Sequence, residues 1–339
     1  MKLLQMTTNG LISIILPVYN GANFLEQSIE SCLTQTHQNI ELIIVNDCST
    51  DDSLTIAGKY QKKDSRVKII NNIINKKLPA SLNLGHAAAT GSFITWTSHD
   101  NWYAPDALQQ LLSILKNNNA GVAYSNVNIV NTDGSVARKH TFPNPANILF
   151  GNVIGSCFLY RKAVFETVGG YDENLFLLED YDFWLKATLN FKFVKLKKFL
   201  YNYRKHSDSL TAQIQVDSAK KILYENNLNQ VFLNFYRMVG VHDIVFMTRF
   251  SIDEMFHQKK NFLWHRDNCT ILKKSMEHVG EHSFLIKKKL EEIHLEKVLA
   301  SIKYERSFTW TKLLFLAHNF SIRSHIKFYK TYIKYALKI

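Results

Sequence analysis

The sequence predicts an α/β protein: a mostly parallel, doubly wound sheet with helices on both faces, followed by a mainly α-helical carboxyl-terminal part. Three observations carry this. Short β-branched apolar runs alternate with helical patterns from residue 11 to about residue 117. The first runs are apolar throughout rather than at every second position, as in strands buried on both faces. After Asp217, Gly and Pro become scarce and the pattern turns helical and basic.

Element by element, LISIIL (11–16) is the first strand, and a helix through Phe24, Ile29 and Leu33 follows PVYN. ELIIV (41–45) is the second strand, followed by the polar turn NDCSTDDS and a helix over 54–60. RVKII (66–70) and SFITWT (92–97) are the third and fourth strands, with ASLNLGHAAAT helical between them. Pro105 opens a helix over 105–116, at the first turn, where a missing N–H costs nothing. AGVAYSNVNIV and SVARKHTF, joined by NTDG, read as a hairpin with an Asp-Gly turn. SCFLYR (156–161) is another strand, a short helix runs into GGYDENL, a helix covers 179–190, and strands lie near 192–204.

Composition narrows the class. With 46% hydrophobic and 21% charged residues the chain can bury a core. Its net charge of +12 is uneven: 21 Lys and Arg against 11 Asp and Glu after Asp217 leave +10 of it there. Two parts follow, 1–217 and 218–339. Cys32, Cys48, Cys157 and Cys269 match neither a disulfide framework nor a zinc spacing, which reads as reduced thiols. MKLLQMTTNG is too short and polar for a signal peptide, and no apolar run reaches the roughly 18 residues of a membrane span. A cytoplasmic protein is expected, with peripheral attachment at the inner face of the cell membrane left open.

In open parallel sheets, ligands bind beyond the carboxyl ends of the strands. Those positions hold Pro17, Tyr19 and Asn20 after the first strand, Asn46 and Asp47 after the second, and Ser98, His99 and Asp100 after the fourth. Glycine-rich phosphate loops of the dinucleotide-binding or P-loop kind are absent. Transfer of a sugar from a nucleoside diphosphate suits such an edge. The leaving diphosphate needs a cation, a hard cation takes oxygen ligands from one or two carboxylates, and another carboxylate must deprotonate the incoming hydroxyl.

The run SIILPVYNGANFLEQSIESCLTQTHQNIELIIVNDCSTDDS resembles the opening of family 2 glycosyltransferases, which have the GT-A fold. KLPASLNLGHAAATGSFITWTSHDNWYAPDAL resembles the segment leading into that family's D-x-D site. FLYRKAVFETVGGYDENLFLLEDYDFWLKA resembles its acceptor region and ED motif, and YRKHSDSLT its closing strand. The matches run in order over about residues 11–211. The resemblance implies that Asp47 reads the nucleotide base, that Pro17, Tyr19 and Asn20 line the base and ribose pocket, and that Asp100 binds a divalent metal, Mn²⁺ or Mg²⁺. It implies Asp180 as general base, and His206 as a histidine that approaches the metal or the diphosphate. One departure stands out. Ser98 occupies the first D-x-D position, where it can still hydrogen-bond a ribose hydroxyl, and Asn101 follows Asp100 in place of a second acid.

The activity so implied is inverting transfer from a nucleotide sugar, with UDP the expected nucleotide, to a glycan or lipid-linked acceptor in surface polysaccharide or lipopolysaccharide assembly. Two alternatives stay open: a non-catalytic GT-A module that binds nucleotide or glycan, favoured by Ser98 and Asn101, and a nucleotidyltransferase. Individual residues have plainer readings. Asp47 and Asp100 can cap turns, and the acids of EDYD can complement a helix dipole, with Glu179 the next choice as base. Lys76 and Lys77 can meet donor phosphate or simply be solvated; Trp96 and Trp102, which flank the acidic site, read as core ahead of sugar stacking, and Trp184 reads as core. Between 322 and 339, Ile322, Ile326, Tyr329, Ile333 and Leu337 form an apolar stripe beside the basic Arg323, Lys327, Lys330, Lys334 and Lys338. That helix fits either packing on the protein or an anionic bilayer surface. No nucleic-acid partner is expected.

Overall fold

The computed structural model describes residues 10–241 and 243–255. The amphipathic segment over 322–339 and Cys269 lie outside them. Nine strands form one sheet in the order β3-β2-β1-β4-β8-β6-β9-β5, with β7 on β6. β1 (Ile12–Val18), β2 (Ile40–Asn46), β3 (Val67–Asn71) and β4 (Phe93–Trp96) are mutually parallel. Every residue of β1 and β2 is buried, which is why their sequences show no polar alternation. Helices connect them: α1 (Ala22–Leu33), α2 (Ser53–Lys63) and α3 (Lys77–Ala88). α4 (Ala107–Asn117) presents Leu108, Leu111, Leu112 and Leu115 to the core at helical spacing. Each such burial contributes about 1.5–3 kcal/mol.

Beyond β4 the sheet is mixed, so the parallel expectation holds for one half only. β8 (Phe158–Arg161) runs antiparallel to both β4 and β6 (Val122–Val130), and β9 (Phe193–Arg204) lies parallel to β6. β6 and β7 (Val136–His140) form the expected hairpin, with Gly134 at φ 89° in its turn. The region near 192–204 is a single strand with register shifts against β6, rather than two strands. A two-residue strand, β5 (Trp102–Tyr103), and a 3₁₀ turn, Pro145–Phe150, have too little length to show periodicity in sequence. α5 (Lys162–Val168) closes on Gly169 at φ 86°, and α6 (Glu179–Ala187) carries the EDYD acids in its first turn. α7 (Leu210–Val216), α8 (Ser218–Met238) and α9 (Ile244–Met255) follow.

The chain divides into two compact units after Val231, inside α8, whereas its composition changes at Asp217. In the second unit Phe232, Phe235, Tyr236 and Met247 are buried, and Tyr236 shares a 2.5 Å hydrogen bond with Ser251. Among the described residues no helix is long and apolar enough to cross a membrane. Cys32, Cys48 and Cys157 are free thiols.

Two polar arrangements sit within the first unit's core. Under β4, a string of hydrogen bonds has its direction fixed at one end. The Leu82 carbonyl, 2.6 Å from His86 Nδ1, can only accept, so Nε2 is the unprotonated nitrogen and takes the Tyr160 hydroxyl proton. Tyr160 then accepts from Tyr171 (3.4 Å), and Tyr171 from Trp96 Nε1 (2.9 Å). Burial keeps the His86 imidazole neutral, at about 3.

At the amino end of the sheet, buried Glu41 accepts from Ser13 Oγ (2.6 Å), Thr90 N (2.7 Å) and Thr90 Oγ1 (2.8 Å), and pairs with Lys68 (2.7 Å). Gly91 is required beside it, because a Cβ would lie 2.7 Å from the Leu11 carbonyl oxygen. Burial alone raises the Glu41 carboxyl, but Lys68, Ser13 and Thr90 together outweigh it and hold the group at about 2. A folded-state value below the unfolded one stabilises above the unfolded value of 4.5, and the gain is lost as pH falls toward 2. Glu41→Gln is therefore expected to flatten the loss of stability between about pH 5 and pH 3 in urea titrations.

Candidate active site

Because β1, β2 and β4 are parallel neighbours, with Val18 paired to Asn46 and Ile15 to Trp96, their carboxyl ends open on one edge. The loop after β1 braces the other two. Asn20, at φ 50°, donates its N–H to Ser49 Oγ (3.0 Å), and its Oδ1 accepts from Thr50 N (2.8 Å). Gly21 N donates to Ser53 Oγ (2.9 Å) and Ala22 N to Asp51 Oδ2 (2.9 Å), so the second loop caps α1. On the other side the His99 ring packs on Gly21, where a Cβ would lie 2.4 Å from Cδ2. Pro17 is buried in β1, while Tyr19, 49% exposed, faces solvent at its end.

Asp47 is buried beyond β2, its N–H on the Val18 carbonyl (2.8 Å). Its Oδ1 accepts from Asn72 Nδ2 (2.8 Å) and Lys76 N (2.8 Å). It caps nothing in α2; instead it fixes the loop that leads into α3. Lys77 starts that helix at φ 68°, its ammonium 5.6 Å from the Phe176 ring.

Asp100 is buried beyond β4. His206 Nε2 lies 2.8 Å from its Oδ2, while Oδ1 is buried without a protein hydrogen-bond partner. The hydrogen bond to Asp100 raises the His206 imidazole above its ordinary value, against the effect of burial. The Ser98 carbonyl accepts from Ser28 Oγ (2.9 Å), tying this loop to α1. Asn101, in place of a second acid, is also buried and accepts from Arg204 N (2.8 Å).

Asp180 sits in the first turn of α6, after Leu177 at φ 80°, a strained conformation for a branched side chain. Its Oδ2 accepts from Asn152 Nδ2 (2.7 Å), and its Oδ1 from Tyr181 N (2.7 Å). Burial raises its carboxyl, with those two donors opposing. Neighbouring Glu179, 4% exposed, rises to about 8 through burial and then the Asp180 charge. Asp180 and Asp100 both bear on one side chain: burial raises the Tyr203 phenol, and the Asp100 and Asp180 charges raise it further. Trp96 and Trp184 are packing residues, on Phe158 at 5.5 Å and 4.9 Å, and Trp102 stacks on Arg204. Arg204, Tyr203, Asn152 and Asn72 escaped the sequence reading. Arg204 alone carried a signal there, two places before His206 in YRKH.

A cation fits the Asp100–His206 pair, because an orphaned carboxylate oxygen beside an imidazole is an unfinished set of hard donors. Among the described residues no group of three or more His, Cys, Asp or Glu assembles as a complete metal site. Such a pair matches cations that take their remaining ligands from water and substrate phosphates.

The sheet, its flanking helices and the loops at this edge are those of an α/β protein of the GT-A type. The comparisons agree. Residues 13–169 match Glycosyl transferase family 2. An uncharacterized glycosyltransferase of Haemophilus influenzae is 32% identical over 217 residues, covering 62% of this chain and 83% of that protein. One from Rickettsia typhi is 31% identical over 194 residues, covering 54% of this chain and 60% of that protein. The chain belongs to glycosyl transferase family 2. It spans about 60% of the Rickettsia relative's length. Among solved structures, S. aureus TarS 1–349 in complex with UDP-GlcNAc shares the fold, with TM-score 0.59 and 16% identity over 88% of this chain and 93% of that one.

The close approach at Gly21 gives a direct check. Gly21→Ala is expected to displace the His99 ring and destabilise the first unit by about 1–3 kcal/mol, seen as a lowered Tm of the full chain.

Proposed function

We propose that the chain is an inverting glycosyltransferase, moving a sugar from a nucleoside diphosphate sugar, with UDP as nucleotide, to a hydroxyl of a glycan or lipid-linked acceptor in surface polysaccharide or lipopolysaccharide assembly. Residues 1–217 carry the chemistry, and the basic 218–339 part favours an anionic membrane surface. The reading is supported by the different ways in which the carboxylates are held: Asp47, beyond β2, is immobilised by two donors, Asp100, beyond β4, is half-satisfied beside His206, and Asp180, raised by burial, shares Tyr203 as a neighbour with Asp100. The UDP-GlcNAc bound to TarS adds support for the donor class.

In this reading Asp47 takes the base, Pro17, Tyr19 and Asn20 line the base and ribose, and Ser98 meets a ribose hydroxyl. Asn20 already spends its carbonyl oxygen on Thr50, so it shapes the pocket through loop geometry. Asp100 and His206 are the residues that would hold Mn²⁺ or Mg²⁺, through the free carboxylate oxygen and the imidazole. When bound, the cation neutralises charge on the diphosphate leaving group. Asp180 accepts the acceptor hydroxyl proton at a carboxylate oxygen as that hydroxyl attacks the anomeric carbon from the face opposite the diphosphate. A raised carboxyl is a stronger base than an ordinary aspartate, and Asn152 keeps its ionised form from becoming too costly.

Asp180→Asn is expected to cut turnover by about 10²–10⁴ with UDP affinity retained. Retained turnover would remove Asp180 from its role, and UDP binding without turnover by the wild type would favour the non-catalytic alternative. Because the base must be ionised, kcat/KM rises with pH through a value above the usual carboxylate range. Asn152→Ala, which deletes a donor to the ionised form, moves that limb to still higher pH. A pH–rate series of both proteins checks the sign. A thermal-shift panel of nucleoside diphosphates and nucleotide sugars, with and without Mn²⁺, reports base and metal together.

A further inference from the structure

An arginine two residues before a metal-site histidine is most simply read as a diphosphate ligand, but the surroundings of Arg204 favour a role within the protein. The residue is 4% exposed, and its guanidinium lies between two rings, 4.3 Å from Phe24 and 4.7 Å from Trp102. All three nitrogens are committed within the protein. Nε donates to the Asp100 carbonyl (3.1 Å), one terminal nitrogen to the Thr132 carbonyl and the other to Gln27 Oε1. Its backbone N–H donates to Asn101 Oδ1 (2.8 Å), and Phe24 also packs on His206, with ring centroids 5.4 Å apart. One side chain thus joins α1, the loop after β4, the β6–β7 turn and the end of β9. It sits in contact with one member of the Asp100–His206 pair and two residues from the other.

We propose that Arg204 is a positioning residue that sets the separation of Asp100 and His206, and so determines the affinity of a divalent cation at that pair. The proposal rests on the metal-site reading given above. A planar fork held between two rings fixes the Asp100 carbonyl and the start of the His206 segment in one rigid body, which a flexible ammonium cannot reproduce. In a site with Ser98 where the family has an acid, and so with two protein ligands among the described residues, the spacing of those two sets what they offer the cation.

The test compares wild type, Arg204→Lys, Arg204→Met and Gln27→Leu by calorimetric titration of UDP with and without Mn²⁺. The expected result is a loss of ten-fold or more in the Mn²⁺-dependent part of UDP affinity for both Arg204 variants, with metal-free affinity unchanged within two-fold. Gln27→Leu, which removes one anchor and leaves the sandwich, loses about two- to five-fold and stands in should the Arg204 variants fail to fold. If the metal-free and Mn²⁺-dependent affinities fall together, or if neither changes, Arg204 only stabilises the fold and the proposal is overturned. A wild-type protein whose UDP affinity ignores Mn²⁺ would instead overturn the metal-site reading beneath it.

Discussion

The parallel pairing of β2, β1 and β4 is the constraint on which the site depends. Three adjacent strands running the same way deliver three loops to a single edge, and burial on both faces forbids a slip that would carry one loop elsewhere. A strand here cannot shift by one residue without turning Ile14 and Leu16 to the opposite face of a closed core. The positions of Asp47 and Asp100 are therefore fixed by hydrophobic packing many residues away, before any polar contact at the edge is made.

What the edge adds is a division of labour among carboxylates. Asp47 has one oxygen held by Asn72 and the Lys76 N–H, which fixes the direction of its carboxylate. Asp100 has one oxygen engaged and one left over. Asp180 receives two donors in a half-buried setting that still disfavours its charge. The same functional group thus acquires three chemical characters from neighbours that are mostly main-chain N–H groups, amides and one imidazole, with no change of residue type.

Most of the parallel half was legible in the sequence because long apolar runs and helical periodicity are local signals, and each element there carries its own. Asp47, Asp100 and Asp180 stood out as candidates through ordered motifs. The mixed half was harder to read: β9 is amphipathic and bulged, β5 is two residues long, and the pairing of β8 between β4 and β6 is a long-range choice that no local pattern encodes. The supporting residues were invisible for the same reason. Asn152 lies in an irregular stretch, and its value comes from standing 2.7 Å from a carboxylate 28 positions later. Arg204 was visible as a residue type, but its task is set by Phe24 and Trp102, which come from elsewhere in the chain.

The string from Trp96 to Leu82 has a consequence for how the interior can drift over evolutionary time. Each hydroxyl in it has a single proton to give and passes it the same way, so the links behave as a sentence with fixed word order. Exchanging Tyr171 for phenylalanine strands the indole N–H at one side and leaves the Tyr160 oxygen unfilled at the other. Replacing His86 with a donor-only side chain asks Tyr160 to turn round, and Tyr171 after it. Viable substitutions at these positions should therefore arrive as matched sets, and homologues should hold the whole string or have traded it together for apolar packing.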